Sequence, residues 1–363
     1  MGRRFTCIDD CGLCCLCQPE LLEPEVQFFK KNFPQCIMVR KSPHKHTALT
    51  LKNGSGPCSF LEARKCTIYQ SRPHYCRQFP FHIYLGTRVQ VELDLSCRGI
   101  WLDKGEDTTS IALQMLEDSK AAVRRTLQDS KEVYRQFHAN CRDAGIDCAP
   151  EKLRREVNVR LEHMADPAYL GWMLDQSVED EEMSFTREPL ELVLDEARRE
   201  QLRQAAMETA LESLASEDPM SAPVYCDPHN RWYIFISSNG GLDMYLLKDD
   251  GGMERVRAID PQKVPLLTPE GRGRQLFIDY LRTLNHRDSV LGYAYFLLDD
   301  YGYEDEMANV YYGVMSAAAL DLLWRASLLA YLKGGELDEE GMREGIIFYD
   351  MDRLDAPTIG AFI

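Results

Sequence analysis

The placement of the cysteines constrains this chain more than any other feature. Ten of its thirteen cysteines fall in the first 97 residues. Five of these, Cys7, Cys11, Cys14, Cys15 and Cys17, fall within eleven residues. Four more follow singly: Cys58 in P-C-S-F-L, Cys66 in C-T-I-Y, Cys76 in R-P-H-Y-C and Cys97 in L-S-C. A hydrophobic core has no need of adjacent cysteines, and a vicinal pair such as Cys14 and Cys15 does not readily close on itself as a disulfide. A metal centre does need many thiolates converging from one short loop and a few distant turns. The N-terminal third therefore reads as a metal-binding domain.

The spacing narrows the chemistry. Cys11-x2-Cys14-x2-Cys17 matches the three-cysteine run that serves [4Fe–4S] clusters, which take a fourth cysteine from elsewhere. Zn2+ also accepts four thiolates, commonly two from each of two short knuckles. One dense loop with scattered single cysteines favours the iron–sulfur cluster and leaves zinc as the alternative. His44, His46, His74 and His82 are in range, without clear ligand spacing.

Charge divides the chain sharply. Residues 1–104 hold 15 Lys and Arg against 9 Asp and Glu, and the remainder holds 27 against 49. The acidic remainder argues against nucleic acid as a partner. The basic part has a ready explanation, because a thiolate-ligated cluster is anionic. Arg64, Lys65, Arg72, Arg77 and Arg98, interleaved with the cysteines, would offset it. A solvated basic face explains them equally well. The start M-G-R-R-F-T-C has no apolar stretch of the signal-peptide kind. The most apolar segment, 313–332, carries Asp321 and Arg325 and reads as a buried helix rather than a membrane span. A cytoplasmic setting is expected, with thiols reduced or metal-bound rather than paired.

The fold expected is α+β, in two parts. Residues 1–104 form a small cysteine-rich metal domain, with a short helix over 22–32 and a strand over 47–52. A β-hairpin joins 79–85 to 89–95 around Gly86-Thr87-Arg88 and returns Cys97 toward the other cysteines. The polar stretch 100–106 is the expected boundary. Residues 105–363 form a larger acidic domain. Helical periodicity runs over 108–144, 151–164 and 190–216, with an acidic loop at 177–188. Strands at 224–226, 232–237, 243–247 and 255–258, separated by D-P-H-N, S-N-G-G and D-D-G-G, predict an antiparallel meander. Helices return at 273–285, 306–333 and 338–349. Cys226 is expected to be a buried strand residue, and Cys141 and Cys148 core or helix-end thiols. Tyr69 and Phe79 are expected to wall the centre from water, and Arg72-Pro73 to play a structural part. The aromatic set from Tyr293 to Tyr312 is expected to pack helices, with a substrate-pocket lining as the alternative.

The cysteine series resembles a known family, the cysteine-cluster or zinc- and iron-chelating proteins, whose motif is written CxxCxxCC. The matching stretches are F-T-C-x3-C-G-L-C-C from Phe5 to Cys15, P-C-S-F-L at Cys58, C-T-I-Y at Cys66, R-P-x2-C-R-x-F-P from Arg72 to Pro80, and Cys97. The match covers about the first 100 residues. It implies eight ligands: Cys7, Cys11, Cys14, Cys15, Cys58, Cys66, Cys76 and Cys97. The first gap is three residues instead of two, which bears on Cys7, and Cys17 and Cys36 are extra to the pattern. The family includes flagellin lysine N-methylases, which implies S-adenosylmethionine chemistry on a protein substrate. Electron transfer with a redox partner, and a zinc-stabilised interaction module, are the other functions a thiolate centre allows. Cys7-x3-Cys11-x2-Cys14 also resembles the run of radical enzymes. There it lies on a strand-end loop of a parallel α/β barrel, and here a dense cysteine series and a hairpin follow instead.

Overall fold

Local sequence sets most of the elements of the computed structural model, which describes residues 3–41, 45–54, 56–176, 195–216, 222–238, 240–351 and 353. The cysteine-rich stretch holds β1 (Arg4–Phe5), α1 (Glu23–Asn32), β2 (Ile37–Arg40), β3 (His46–Leu49), β4 (Leu61–Glu62), β5 (Lys65–Cys66), α2 (His74–Gln78), β6 (Phe81–Leu85), β7 (Val89–Leu93) and β8 (Glu106–Asp107). Helices α3 (Thr108–Asp118), α4 (Lys120–Ala144), α5 (Pro150–Met164), α6 (Pro167–Gln176) and α7 (Glu196–Ser213) follow. The meander is β9 (Val224–Cys226), β10 (Trp232–Ser238), β11 (Gly241–Leu247) and β12 (Met253–Ile259). Helices α8 (Gly271–His286), α9 (Asp288–Asp300), α10 (Met307–Lys333) and α11 (Glu339–Asp350) close the chain. The fold is α+β. The acidic loop expected at 177–188, and the start of the helix expected from 190, lie outside the described residues.

Two compact units result. One is Met1–His82 with Leu93–Met115 and Leu214–Ile259, and the other is Ile83–Glu92 with Leu116–Ser213 and Asp260–Ile363. The expected cut at 104 does not coincide with this division, for two physical reasons. The stretch 98–107 does not lead away from the cysteines but folds back on the N-terminus. There β8 pairs antiparallel with β1, Arg4↔Asp107, and Arg4 Nε donates to the Gly105 carbonyl at 2.8 Å. Gly99 and Gly105 permit this approach, since a Cβ on either would stand 2.1 Å from the carbonyl oxygen of Thr6 or Phe5. The meander in turn falls within the cysteine-bearing unit.

In the cysteine-bearing unit, α1 starts on a Pro-containing first turn with Glu25 reaching back to the Leu22 N–H at 3.1 Å. Such a carboxylate offsets the orphan donors of a helix start. Its inner face buries Val26 and Phe29. Phe29, Phe33 and Phe60 form one aromatic group, with Phe33 and Phe60 edge-to-face at 5.0 Å. Burial of each such ring is worth about 2 kcal/mol. The meander order is β12-β11-β10-β9, antiparallel throughout.

In the other unit α10 is the central element. It is apolar all round, as a fully enclosed helix must be, and 89 % of its most apolar window is buried. Helices α5, α6, α7, α8, α9 and α11 pack on it. Its two buried charged residues pair with each other: Arg325 Nε donates to Asp321 Oδ1 at 2.7 Å. The rest of the hairpin, Ile83–Glu92, belongs here and docks on the start of α9. Gln90 Oε1 accepts from the Asp288 N–H at 2.6 Å, and Glu92 Oε1 from the Ser289 N–H at 2.9 Å. Tyr295, Tyr311 and Tyr312 are buried among helices as expected, whereas Tyr293 and Tyr301 line a cavity of about 520 Å³.

Candidate metal centre

The main chain shapes the cysteine loop before any side chain acts. Gly12 adopts φ +64° and opens a short 3-10 turn, Leu13–Cys15. This left-handed geometry suits glycine, which has no Cβ to clash. The Cys58 N–H donates to the Cys15 carbonyl at 2.7 Å, so the second motif is tied to the first through backbone. Cys66 stands in β5 opposite Leu61. Cys76 rides on α2, where the Glu25 carboxylate accepts from the His74 N–H at 2.8 Å.

These turns bring six cysteines to the wall of one small void of about 10 Å³: Cys14, Cys15, Cys17, Cys58, Cys66 and Cys76. Leu49, Phe60 and Ile68 complete it as an apolar shell. Cys14, Cys15 and Cys66 also face an open cleft of about 670 Å³, together with Cys7, Tyr69, Arg64, Lys65 and Arg72. They are thus a partition between the void and the cleft.

A second neighbourhood centres on Cys11. Cys226 of β9 makes a thiol hydrogen bond to Cys11. Cys97 feels the charges of Cys11 and Cys7. Meander residues secure this arrangement. Trp232, the register partner of Cys226 in β10, donates its indole N–H to the Cys11 carbonyl at 3.0 Å. Arg98, next to Cys97, donates to the Cys226 carbonyl at 2.7 Å. The Arg64 guanidinium lies 3.4 Å from the Trp232 ring centroid, a cation–π contact.

The thiols divide electrostatically. The hydrogen bond from Cys226 brings Cys11 down to about 7 against its burial, with help from the Leu13 N–H, Arg98 and Arg64. The hydrogen bond with Cys15 brings Cys66 down to about 6, with help from the Ile68 N–H and Arg72. Cys14 is lowered by its hydrogen bond with Cys15 and by Arg72. Burial pushes Cys58 up to about 11 and raises Cys76 and Cys97 further. A thiolate is the form that binds metal, and nearby guanidinium groups favour it. Of the five basic residues interleaved with the cysteines, Arg64, Arg72 and Arg98 act on thiols. Lys65 and Arg77 instead face Asp10 at 3.5 Å and Glu25 at 3.6 Å.

The donor set is chemically that of zinc or iron, an excess of thiols with cationic neighbours in a water-poor shell. As placed, the side chains answer one another in S–H···S pairs. Among the described residues, no group of three or more His, Cys, Asp or Glu side chains stands in an arrangement able to hold a metal ion. Loading therefore requires these thiols to turn from one another toward a common point.

Of the eight cysteines named from sequence, Cys14, Cys15, Cys58, Cys66 and Cys76 share the void, Cys11 and Cys97 lie in the second neighbourhood, and Cys7, on the cleft, feels both Cys14 and Cys11. Cys17 lines the void, and half-exposed Cys36 does not. Cys226 is buried, as expected of a strand residue, yet it meets Cys11 rather than core side chains alone. No spacing along the chain signals this. The expected wall differs too: Tyr69 is 44 % exposed on the cleft and hydrogen-bonds Cys7, and Phe60, Leu49 and Ile68 form the shell instead. Arg72-Pro73 is structural as expected, with Arg72 Nε on the Tyr69 carbonyl at 3.0 Å and Pro73 in the void wall. Cys141 and Cys148 are buried and hydrogen-bonded to each other.

Residues 6–101 match the model of the CxxCxxCC family, described as "Putative zinc- or iron-chelating domain". No curated protein and no solved structure matches the chain. The match gives residues 6–101 as a metal-binding domain of the zinc- or iron-chelating kind.

Proposed function

We propose, starting from a chain whose residues 6–101 match a zinc- or iron-chelating family, that its thiolates hold iron as a [4Fe–4S] cluster. The observation that carries this reading is the convergence of Cys14, Cys15, Cys17, Cys58, Cys66 and Cys76 on one small void backed by Leu49, Phe60 and Ile68. A bound cluster supplies one-electron redox chemistry. The protein's own part is to hold thiolates, to offset their charge with Arg72, and to keep water out with Phe60, Leu49 and Ile68. The partner proposed is a redox protein or a protein substrate, in the reducing cytoplasm.

Two other readings each have an observation in their favour. The open cleft of about 670 Å³ beside Cys7, Cys14 and Cys66 is in the size range of small-molecule sites. Arg64, Lys65 and Arg72 on its wall suit a carboxylate. This favours an enzyme that admits S-adenosylmethionine next to the centre and methylates a protein lysine. The void itself, about 10 Å³, is the size of one water-sized sphere, which favours a single Zn2+ and an interaction module.

The deciding experiment is iron, zinc and acid-labile sulfide per chain after anaerobic purification, with a visible absorption spectrum. Equal iron and sulfide with a broad violet-region band supports the cluster, and S-adenosylmethionine titration then separates enzyme from carrier. Zinc without sulfide overturns the redox reading.

A further inference from the structure

We propose that Cys226, far outside the family-matched segment, is a metal ligand that completes a second thiolate centre with Cys7, Cys11 and Cys97. The proposal rests on the reading of the N-terminal thiols as metal ligands and adds to it a division into two sets and a fourth member for one of them.

The argument is geometric. The six cysteines of the small void already exceed the four thiolates that a zinc ion or a cluster requires. Cys7, Cys11 and Cys97 are not in its wall. Three thiols are one short of a tetrahedral or cubane set, and Cys226 brings a fourth sulfur to Cys11 through its hydrogen bond. The surrounding backbone positions Cys226 at this spot. In register opposite it, Trp232 is bonded to the Cys11 carbonyl at 3.0 Å. Arg98 is bonded to the Cys226 carbonyl at 2.7 Å, and it follows Cys97 directly. The β9–β10 pair therefore grips both the Cys11 loop and the Cys97 turn. Gly12 is the close-contact point: a Cβ there would stand 2.9 Å from Trp232 Cζ2. Arg64 and Arg98 supply positive charge beside Cys11. A purely structural cysteine in a strand needs none of these contacts. On loading, each thiol gives its proton to solvent and its sulfur to the metal.

The test uses the full chain, purified anaerobically, with iron, zinc and sulfide measured per chain in wild type and in C226A, C97A and C58A. The expected result is that C226A and C97A lose the same complement, that of one centre, and keep the other. C58A loses the complementary share. Where C226A fails to fold, judged by circular dichroism, C226S takes its place, since a serine hydroxyl keeps the shape and is a poor ligand for these metals. An independent readout is native alkylation before and after treatment with a chelator. Cys7, Cys11, Cys97 and Cys226 should become reactive together, separately from Cys58 and Cys76. A Cys226 variant that folds and keeps wild-type metal while C97A loses it overturns the proposal. So does retention of wild-type metal by both variants. Wild type that holds neither zinc nor iron overturns the metal reading itself, which is a distinguishable result.

Discussion

The indole N–H of Trp232 donates to the carbonyl of Cys11 at 3.0 Å, across 221 positions of sequence. Trp232 is fully buried, with the Arg64 guanidinium over its ring. One side chain thus ties the meander to the cysteine loop by a polar bond, an aromatic face and burial. Trp232→Ala should cost about 3–5 kcal/mol, as truncation of a buried tryptophan does. Trp232→Phe keeps most of the ring, loses the hydrogen bond, and should cost about 1–2 kcal/mol. Chemical denaturation followed by circular dichroism measures both. Metal retained after dialysis against a chelator should fall in the same order.

Gly12 and Gly54 form a natural pair of controls. Both have positive φ, +64° and +82°. A Cβ on Gly12 would meet Trp232 and Leu61, whereas a Cβ on Gly54 has nothing within 4 Å. Gly54→Ala should therefore cost only the left-handed backbone penalty, about 1 kcal/mol. Gly12→Ala should cost at least twice that and weaken metal retention. Equal costs for the two would mean that the Trp232 contact gives way freely.

Asp288 makes acid sensitivity predictable. Burial would raise its carboxyl, but the hydrogen bonds from Arg88 at 2.7 Å and Arg154 at 2.7 Å outweigh this and hold it below the ordinary carboxylate range. Its folded value lies below the unfolded value of about 3.9. Its contribution to stability is therefore complete above about pH 4 and is lost as pH falls through the folded value. Asp288→Asn should be destabilised relative to wild type by about 2 kcal/mol at neutral pH, given charge-assisted bonds. The gap should narrow at pH 3. Urea midpoints at the two pH values check it, and a constant gap would remove the Asp288 charge as its source.

Asp321 and Arg325 sit one turn apart in α10, almost wholly buried, with Ser213 bonded to both. Arg325→Met strands a carboxylate in the interior and should cost about 3–5 kcal/mol. Arg353, 3.7 Å from Asp321, offsets part of that charge, so the lower end is expected. The double variant Arg325→Met with Asp321→Leu should regain most of the loss. A double-mutant cycle on denaturation midpoints decides it, and additive costs would mean that the pair is not coupled.

Alternation and turn residues made the hairpin and the meander legible. Gly86-Thr87-Arg88 separates two apolar-rich runs, and D-P-H-N and D-D-G-G leave little but tight turns. The long apolar helix was legible as buried, not membrane-spanning, because Asp321 and Arg325 interrupt its apolar stretch. Helix α9 was not legible. Its first N–H groups are served by Gln90 and Glu92 from a hairpin about 200 residues earlier, so no capping residue marks its start. Helix α6 was hidden because Asp166-Pro167 lies just past the end of one helix and opens the next. Proline suits the first helical position, and Asp166 accepts from the Ala168 N–H at 2.9 Å. The roster of cysteines was legible from their density. Their division into two neighbourhoods, and the arrival of Cys226, follow from Trp232 and Arg98, which no local pattern connects to the loop.

The cysteine-bearing unit is assembled from three stretches, the last of which ends at Ile259. During synthesis the cysteine loop leaves the ribosome long before Trp232 and Cys226 exist. Until then the Cys11 carbonyl has no indole to meet, and the segment 6–101 emerges as an open bed of reactive sulfur. The window between the two events is the time in which a metal must be delivered, or the thiols shielded, and its length is set by how far along the gene the meander is written.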